Sequence, residues 1–194
     1  MMRVSRLMVL AVSLLGLGAC ASQSLETFEI SAPPLGRSTQ AATRAQLLIP
    51  EPTAIKTIDS ERIVVKPTAY TVEYLAGSQW SDRLPRMVQL RLLQAYENTG
   101  KVGAVGVPGQ GLAIDYQIIL EIRRFEVDVV SGRQAVVEIS VKALNDRNGT
   151  VRRTQIFTGT APVVGSGNSA FVSALNQAFD QVSSEIVSWT LALI

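Results

Sequence analysis

From residue 112 the apolar side chains fall on alternate positions, with Leu112, Ile114, Tyr116, Ile118, Leu120 and Ile122 all on even numbers. A period of two is the signature of a half-buried strand. After Arg123-Arg124 the apolar set moves to odd numbers, Phe125, Val127 and Val129. One strand can keep its apolar face through such a phase change only by inserting a residue, which predicts a β-bulge near Arg123 or Arg124; two separate short strands are the alternative. Ser131-Gly132 then turns the chain, and Val137, Ile139, Val141 and Ala143 alternate in a second strand. Asn148-Gly149 is a strong hairpin signal leading into a third strand over 151–160. The chain closes on Phe171, Leu175, Ala178, Val182, Ile186, Trp189 and Leu193, spaced three or four apart, the clearest helix in the sequence. Asp180 and Glu185 argue against its spanning a membrane and for packing across a sheet.

The earlier half is more broken. Thr27 to Ile30 reads as a first edge strand, and Gln46 to Ile49 is a short apolar run stopped by Pro50 and Pro52. Pro52 can open a helical turn through Ile55 to Ile58, with Asp59-Ser60 closing it. Ile63-Val64-Val65 reads as a buried strand ended by Pro67, and Tyr70, Val72 and Tyr74 as a half-buried one, followed by a break at Ala76-Gly77-Ser78. A helix starts around Trp80 to Pro85, with Ser81 or Asp82 placed to cap it, and carries the stripe Leu84, Val88, Leu92 and Ala95 with Met87 and Tyr96 beside it. Asn98-Thr99-Gly100 ends it. A short strand within Lys101 to Val107 and a turn at Pro108 to Gly111 complete the series. The expected fold class is α/β (α+β): one small domain, a mixed, mostly antiparallel sheet with two main helices packed on it.

Ahead of this domain lie Arg3 and Arg6, an apolar run from Leu7 to Leu15, and Leu17-Gly18-Ala19-Cys20. Basic residues, a short apolar stretch and a small-residue processing site are the marks of a secretory signal peptide. The run is short of the roughly 20 apolar residues that span a bilayer. The sequence ending in Cys20 resembles a bacterial lipobox, in which the thiol receives a diacylglycerol, cleavage follows just before it, and the new amine is acylated; an ordinary signal peptide with a stray Cys is the alternative. The expected organisation is a signal peptide over 1–19, a lipidated N-terminus and flexible tether over 20–45, and the domain over 46–194. Ala21 rather than Asp follows the Cys, which by resemblance to sorted lipoproteins favours an outer-membrane anchor facing the periplasm over inner-membrane retention.

Loss of Arg3 and Arg6 leaves sixteen basic against sixteen acidic residues, so a neutral body with no electrostatic footprint for nucleic acid is expected. There is no His, and the single Cys falls at the lipidation position, which removes Ser-His-Asp and Cys-His catalysis and His/Cys zinc sites. No catalytic residue, cofactor or metal is expected. Gly165-Ser166-Gly167-Asn168-Ser169-Ala170 fits G-x-G-x-x-A, but the strand and acidic residue of a dinucleotide site do not follow, so it reads as the start of a helix. Asp115, Glu121, Glu126 and Asp128 read as solvated strand carboxylates rather than a glycosidase pair. Gly103 to Gly111 lacks the Gly-Lys-Ser/Thr ending of a phosphate loop, and Asn148-Gly149-Thr150 is read as turn chemistry rather than a glycosylation site.

Several pieces occur in an order that resembles the ABC-type transport auxiliary lipoprotein family, which includes the paraquat-inducible C-type lipoproteins. They are the lipobox at Cys20, Ile63-Val64-Val65-Lys66-Pro67, Gln79-Trp80-Ser81-Asp82-Arg83-Leu84-Pro85 before a helix, Asp115-Tyr116-Gln117, Phe125-Glu126-Val127, Ala143-Leu144-Asn145-Asp146, and the apolar helix with Trp189 near its end. The resemblance implies a non-enzymatic accessory of a transport system in which an ABC transporter and mammalian-cell-entry-domain proteins move phospholipid or sterol-like lipids between membranes. Its expected partners are the membrane, through the N-terminal lipid, those transport proteins, and further copies of itself. Cys20 is the expected anchor, and Trp80, Asp82, Leu84 and Trp189 the expected partner surface; a core role is the alternative for Trp80. Competing functions are a lipid-binding shuttle, which would need a large apolar cavity, and a structural lipoprotein of an outer-membrane assembly.

Overall fold

The computed structural model describes residues 24–31, 40–130 and 132–194. Three long antiparallel strands form its centre: β8 (Tyr116–Asp128), β9 (Gln134–Asn145) and β10 (Thr150–Pro162). The alternation that predicts β8 is kept through a register shift between Ile122 and Arg124, where Ile122 pairs with Ile139 and Arg124 with Glu138. The extra residue is Arg123, so the predicted bulge is present in one continuous strand. It lets Ile118, Leu120 and Ile122 and then Phe125 and Val127 all face the core, each 2% exposed or less. A second, unpredicted shift between Val151 and Arg153 bends β10 against β9.

The other edge of β8 is covered piecemeal. β2 (Gln46–Leu48), β3 (Thr53–Ala54) and β4 (Val64–Lys66) pair in parallel with its beginning, middle and end. Pro50 and Pro52 lack the donors a single continuous strand would need, so the chain leaves and rejoins the edge. The carbonyl of Ile49, stranded by this break, accepts a 2.8 Å hydrogen bond from the buried Gln89 side chain. The expected helical turn is the stretch in which Ile58 and Asp59 both donate to the carbonyl of Ile55, and β3 separates it from Pro52. β7 (Ala104–Gly106) extends the sheet beyond β2, and β5 (Glu73–Tyr74) beyond β4.

Two sequence expectations are corrected in this half. Tyr70 and Val72 are not in a strand: the hydroxyl of Thr68 accepts from the backbone N–H groups of Tyr70 and Thr71, closing a turn after Pro67, and Tyr70 is left 97% exposed. Trp80 does not begin the helix but ends β6 (Ser78–Trp80), which pairs in parallel with β1 (Glu26–Phe28). Neither Ser81 nor Asp82 caps the helix that follows; Arg83 takes the cap position without a side-chain bond, and Asp82 accepts from the Arg83 N–H instead.

The helices α1 (Leu84–Thr99) and α2 (Asn168–Leu193) lie side by side on one face of the sheet. Every predicted stripe residue of α1 is buried, and Gly100 ends it in the left-handed conformation (φ 59°). The hydroxyls of Tyr96 and Thr190 meet at 2.7 Å in the interior and join the two helices near their C-terminal ends. α2 packs on β9 and β10 so closely that a Cβ on Gly159 would stand 2.4 Å from the Ala178 carbonyl oxygen. Gly159→Ala is therefore expected to lower unfolding stability by ~2 kcal/mol, as overpacking does, measured by urea denaturation of the purified domain.

Candidate docking site

The Trp80 to Pro85 stretch is built from the inside out. The Trp80 indole, 1% exposed, meets the Phe125 ring edge-on at 6.0 Å, and Phe125 in turn meets Phe179 of α2 at 6.0 Å. Leu84 is also 1% exposed, and its backbone N–H is held by the Ser60 carbonyl. Trp80 and Leu84, two of the four side chains expected on a partner surface, are thus core residues, because β6 runs into the interior before the helix starts. What the stretch presents to solvent is Ser81, Asp82 and Arg83. Arg83 bridges Glu51 at 3.0 Å and Asp59, and these carboxylates hold its guanidinium in the charged form more firmly than usual.

Asp82 borders a groove of about 430 Å³ along the outer side of α1 that also includes Glu29, Leu90, Arg91 and Gln94. Arg91 organises it: its Nε donates to the Ile30 carbonyl at 2.6 Å, and its terminal nitrogens reach Gln94 and Glu29. Leu90, 37% exposed, is its apolar floor. The sequence gives no sign of Arg91 or Gln89 as organising residues, since each bonds a carbonyl forty or more positions away.

Trp189 stands apart from this groove, about 15 Å further along α2 than Phe179. Its ring packs edge-on against Phe157 at 5.6 Å, and its indole N–H has no partner among the described residues. Cys20 and the expected signal peptide lie outside the described residues. Part of the segment expected as a leash is built into the fold: β1 sits beside β6, Ile30 is 1% exposed, and both the backbone N–H and hydroxyl of Ser31 donate to Asn176 of α2.

The acidic residues on and around β8 are engaged. Asp115 accepts from the Gln46 backbone N–H and from Arg147, contacts that hold its carboxyl below the usual range. Glu121 pairs with Arg123, while Glu126 and Asp128 share Arg124. Gly165 and Gly167 take positive φ at the start of α2, and α2 then runs to Leu193, so the G-x-G-x-x-A stretch opens a helix. Among the described residues no three His, Cys, Asp or Glu side chains come together as a metal cluster would require.

Three comparisons bear on what this domain is. A crystal structure of the Xanthomonas campestris protein XCC0632 superposes with a TM-score of 0.79 at 28% identity, covering 86% of this chain and 95% of that one. The hypothetical protein CT253 of Chlamydia trachomatis shares the fold alone, at a TM-score of 0.54 and 10% identity over 78% of this chain and 98% of its own. An uncharacterized protein of Bradyrhizobium diazoefficiens is 29% identical over 77% of this chain, which spans only 40% of that relative's length. The family described as the ABC-type transport auxiliary lipoprotein component matches residues 28–187.

A second groove runs along α2 beside Phe28 and Ser31 and ends at Asp180. One Asp180 carboxylate oxygen is buried with no partner among the described residues, and that burial pushes its pKa up. A raised acid pKa means the charged form costs stability above that pKa, and the cost fades as pH falls through it towards the unfolded value. Asp180→Asn is therefore expected to raise the Tm at pH 7. The gain should shrink as the pH is lowered and vanish below the ordinary carboxylate range, a trend that thermal unfolding across a pH series will read.

Proposed function

The chain belongs to the ABC-type transport auxiliary lipoprotein family, and from that premise we propose that it is the adaptor joining a lipid-transporting ABC machine to a membrane. The family is one of cell-envelope lipoproteins that accompany ABC transporters, which is not an enzyme class. Within it, this chain loses residues 1–19, is acylated on Cys20 and holds the periplasmic face of the outer membrane. Its folded body docks on mammalian-cell-entry-domain proteins that carry phospholipid or sterol-like lipids.

The observation that carries docking over shuttling is the filled interior. The Trp80, Phe125 and Phe179 rings occupy the space between sheet and helices where a lipid tail would have to lie. Four concavities bordered by described residues are open surface grooves of about 410 to 470 Å³, lined by polar and apolar groups alike. A lipid site is an enclosed, mainly apolar pocket, which these are not. Anchoring at one point and docking at another raises the local concentration of the partner at the membrane without new chemistry. The α1 groove at Asp82 and Leu90 is the docking surface in this reading.

Metabolic labelling with an acyl probe is expected to mark the wild-type protein and not Cys20→Ala, which should also leave the membrane fraction. In crosslinked envelopes the wild type should co-purify with a mammalian-cell-entry-domain protein. Asp82→Lys combined with Leu90→Glu should cut that yield roughly tenfold, the effect of losing about 1.4 kcal/mol of binding. A wild-type protein that is acylated but captures no such partner would overturn the adaptor role.

A further inference from the structure

Single apolar side chains on a protein surface are ordinary, but several sharing one end of a domain are not. Among the described residues Leu25, Tyr70, Val72, Val129, Val130 and Val164 are all more than 40% exposed. They come from four separate pieces of chain: the residue before β1, the β4–β5 loop, the β8–β9 turn and the β10–α2 connection. Backbone bonds hold these pieces at the same end. The Val129 N–H donates to the Lys66 carbonyl at 3.1 Å, and the Val163 N–H to that of Arg133 at 3.0 Å. The Glu26 N–H donates to the Gly77 carbonyl at 2.9 Å, and the Asn168 side chain ties Glu26 to the Ala76 carbonyl at the start of α2.

We infer that this end of the domain rests on the bilayer, with Tyr70, Val130 and Val164 reaching into the lipid interface, an inference that rests on the acylation proposed for Cys20. The chain joins the fold at Glu26, and only six peptide steps separate it from Cys20. Fully extended these reach ~20 Å, so the end that carries β1 cannot be far from the acyl chains. Tyr70 is 97% and Val164 80% exposed, and a Tyr with its ring in the headgroup zone and its hydroxyl in water is a typical interfacial group. Arg133 stands among the tips at a left-handed φ of 53°, its guanidinium 5.0 Å from the Phe171 ring, where it can meet an anionic headgroup. The opposite end, at the Asn148-Gly149 turn, carries Arg147, Arg152 and Arg153 and a single exposed valine, Val151.

Depth-dependent quenching tests this in the full, lipidated chain. Val164→Trp and Val151→Trp reporters are reconstituted in vesicles of phosphatidylethanolamine and phosphatidylglycerol brominated on their acyl chains, with the signal of Trp80 and Trp189 subtracted using the parent protein. The Val164→Trp reporter should lose most of its emission and the Val151→Trp reporter none, and adding Tyr70→Ser and Val130→Ser beside Val164→Trp should restore emission. Acylated protein whose two reporters are equally unquenched, or equally quenched, overturns the inference while leaving the anchor intact. A Val164→Trp reporter shielded only when a transport partner is added would assign the tips to protein and also overturn it. Protein that mass spectrometry finds unacylated refutes the anchoring, and this inference with it.

Discussion

Strand β8 must hold one apolar face towards the helices for thirteen residues while both of its edges find partners. That demand shapes everything around it. A strand so long drifts out of phase with a helical layer unless a residue is spent on the correction, and Arg123 is that residue. One edge goes to β9. The other is shared by β2, β3 and β4, none of which could persist alone at two or three residues. Gln89 then satisfies a carbonyl that this piecemeal cover leaves open, and Arg91 one that follows β1, so α1 becomes a polar brace as well as a surface.

Above the sheet, closeness matters more than area. Gly159 lets α2 approach β10 almost backbone to backbone, and the aromatic chain from Trp80 through Phe125 to Phe179 stiffens the centre. A body packed in this way has no room to open around a cargo, which favours the proposed adaptor over a carrier.

Legibility in the sequence followed the range of the interactions. β8 and α2 are periodic over ten residues or more and β9 over Val137 to Ala143, β10 is announced by the Asn148-Gly149 turn, and the Arg123 bulge could be read from a parity change alone. The turn at Thr68 to Thr71 was not, because hydroxyl-to-backbone bonds overrode the alternation of Tyr70, Val72 and Tyr74. β3 and β6 are too short for any period to register, since their stability comes wholly from distant strands. The same limit applied to the candidate site. Trp80 and Leu84 stand out by composition, yet the side chains that organise the surface, Arg91 and Gln89, act on carbonyls whose exposure depends on Pro50 and on the path of β1.

The hydroxyls of Tyr96 and Thr190, joined in the interior, lie 94 positions apart in sequence. The whole β7 to β10 segment lies between the two helices they link. Likewise β2, β3 and β4 find their partner only when residues 116–128 arrive. Contacts of this span are slow to form and expose unpaired strands meanwhile. Whichever end of the domain is delivered first, β2, β3 and β4 lack the edge they pair with until β8 is complete, and a binder that shields bare strands would find its targets there in the interval.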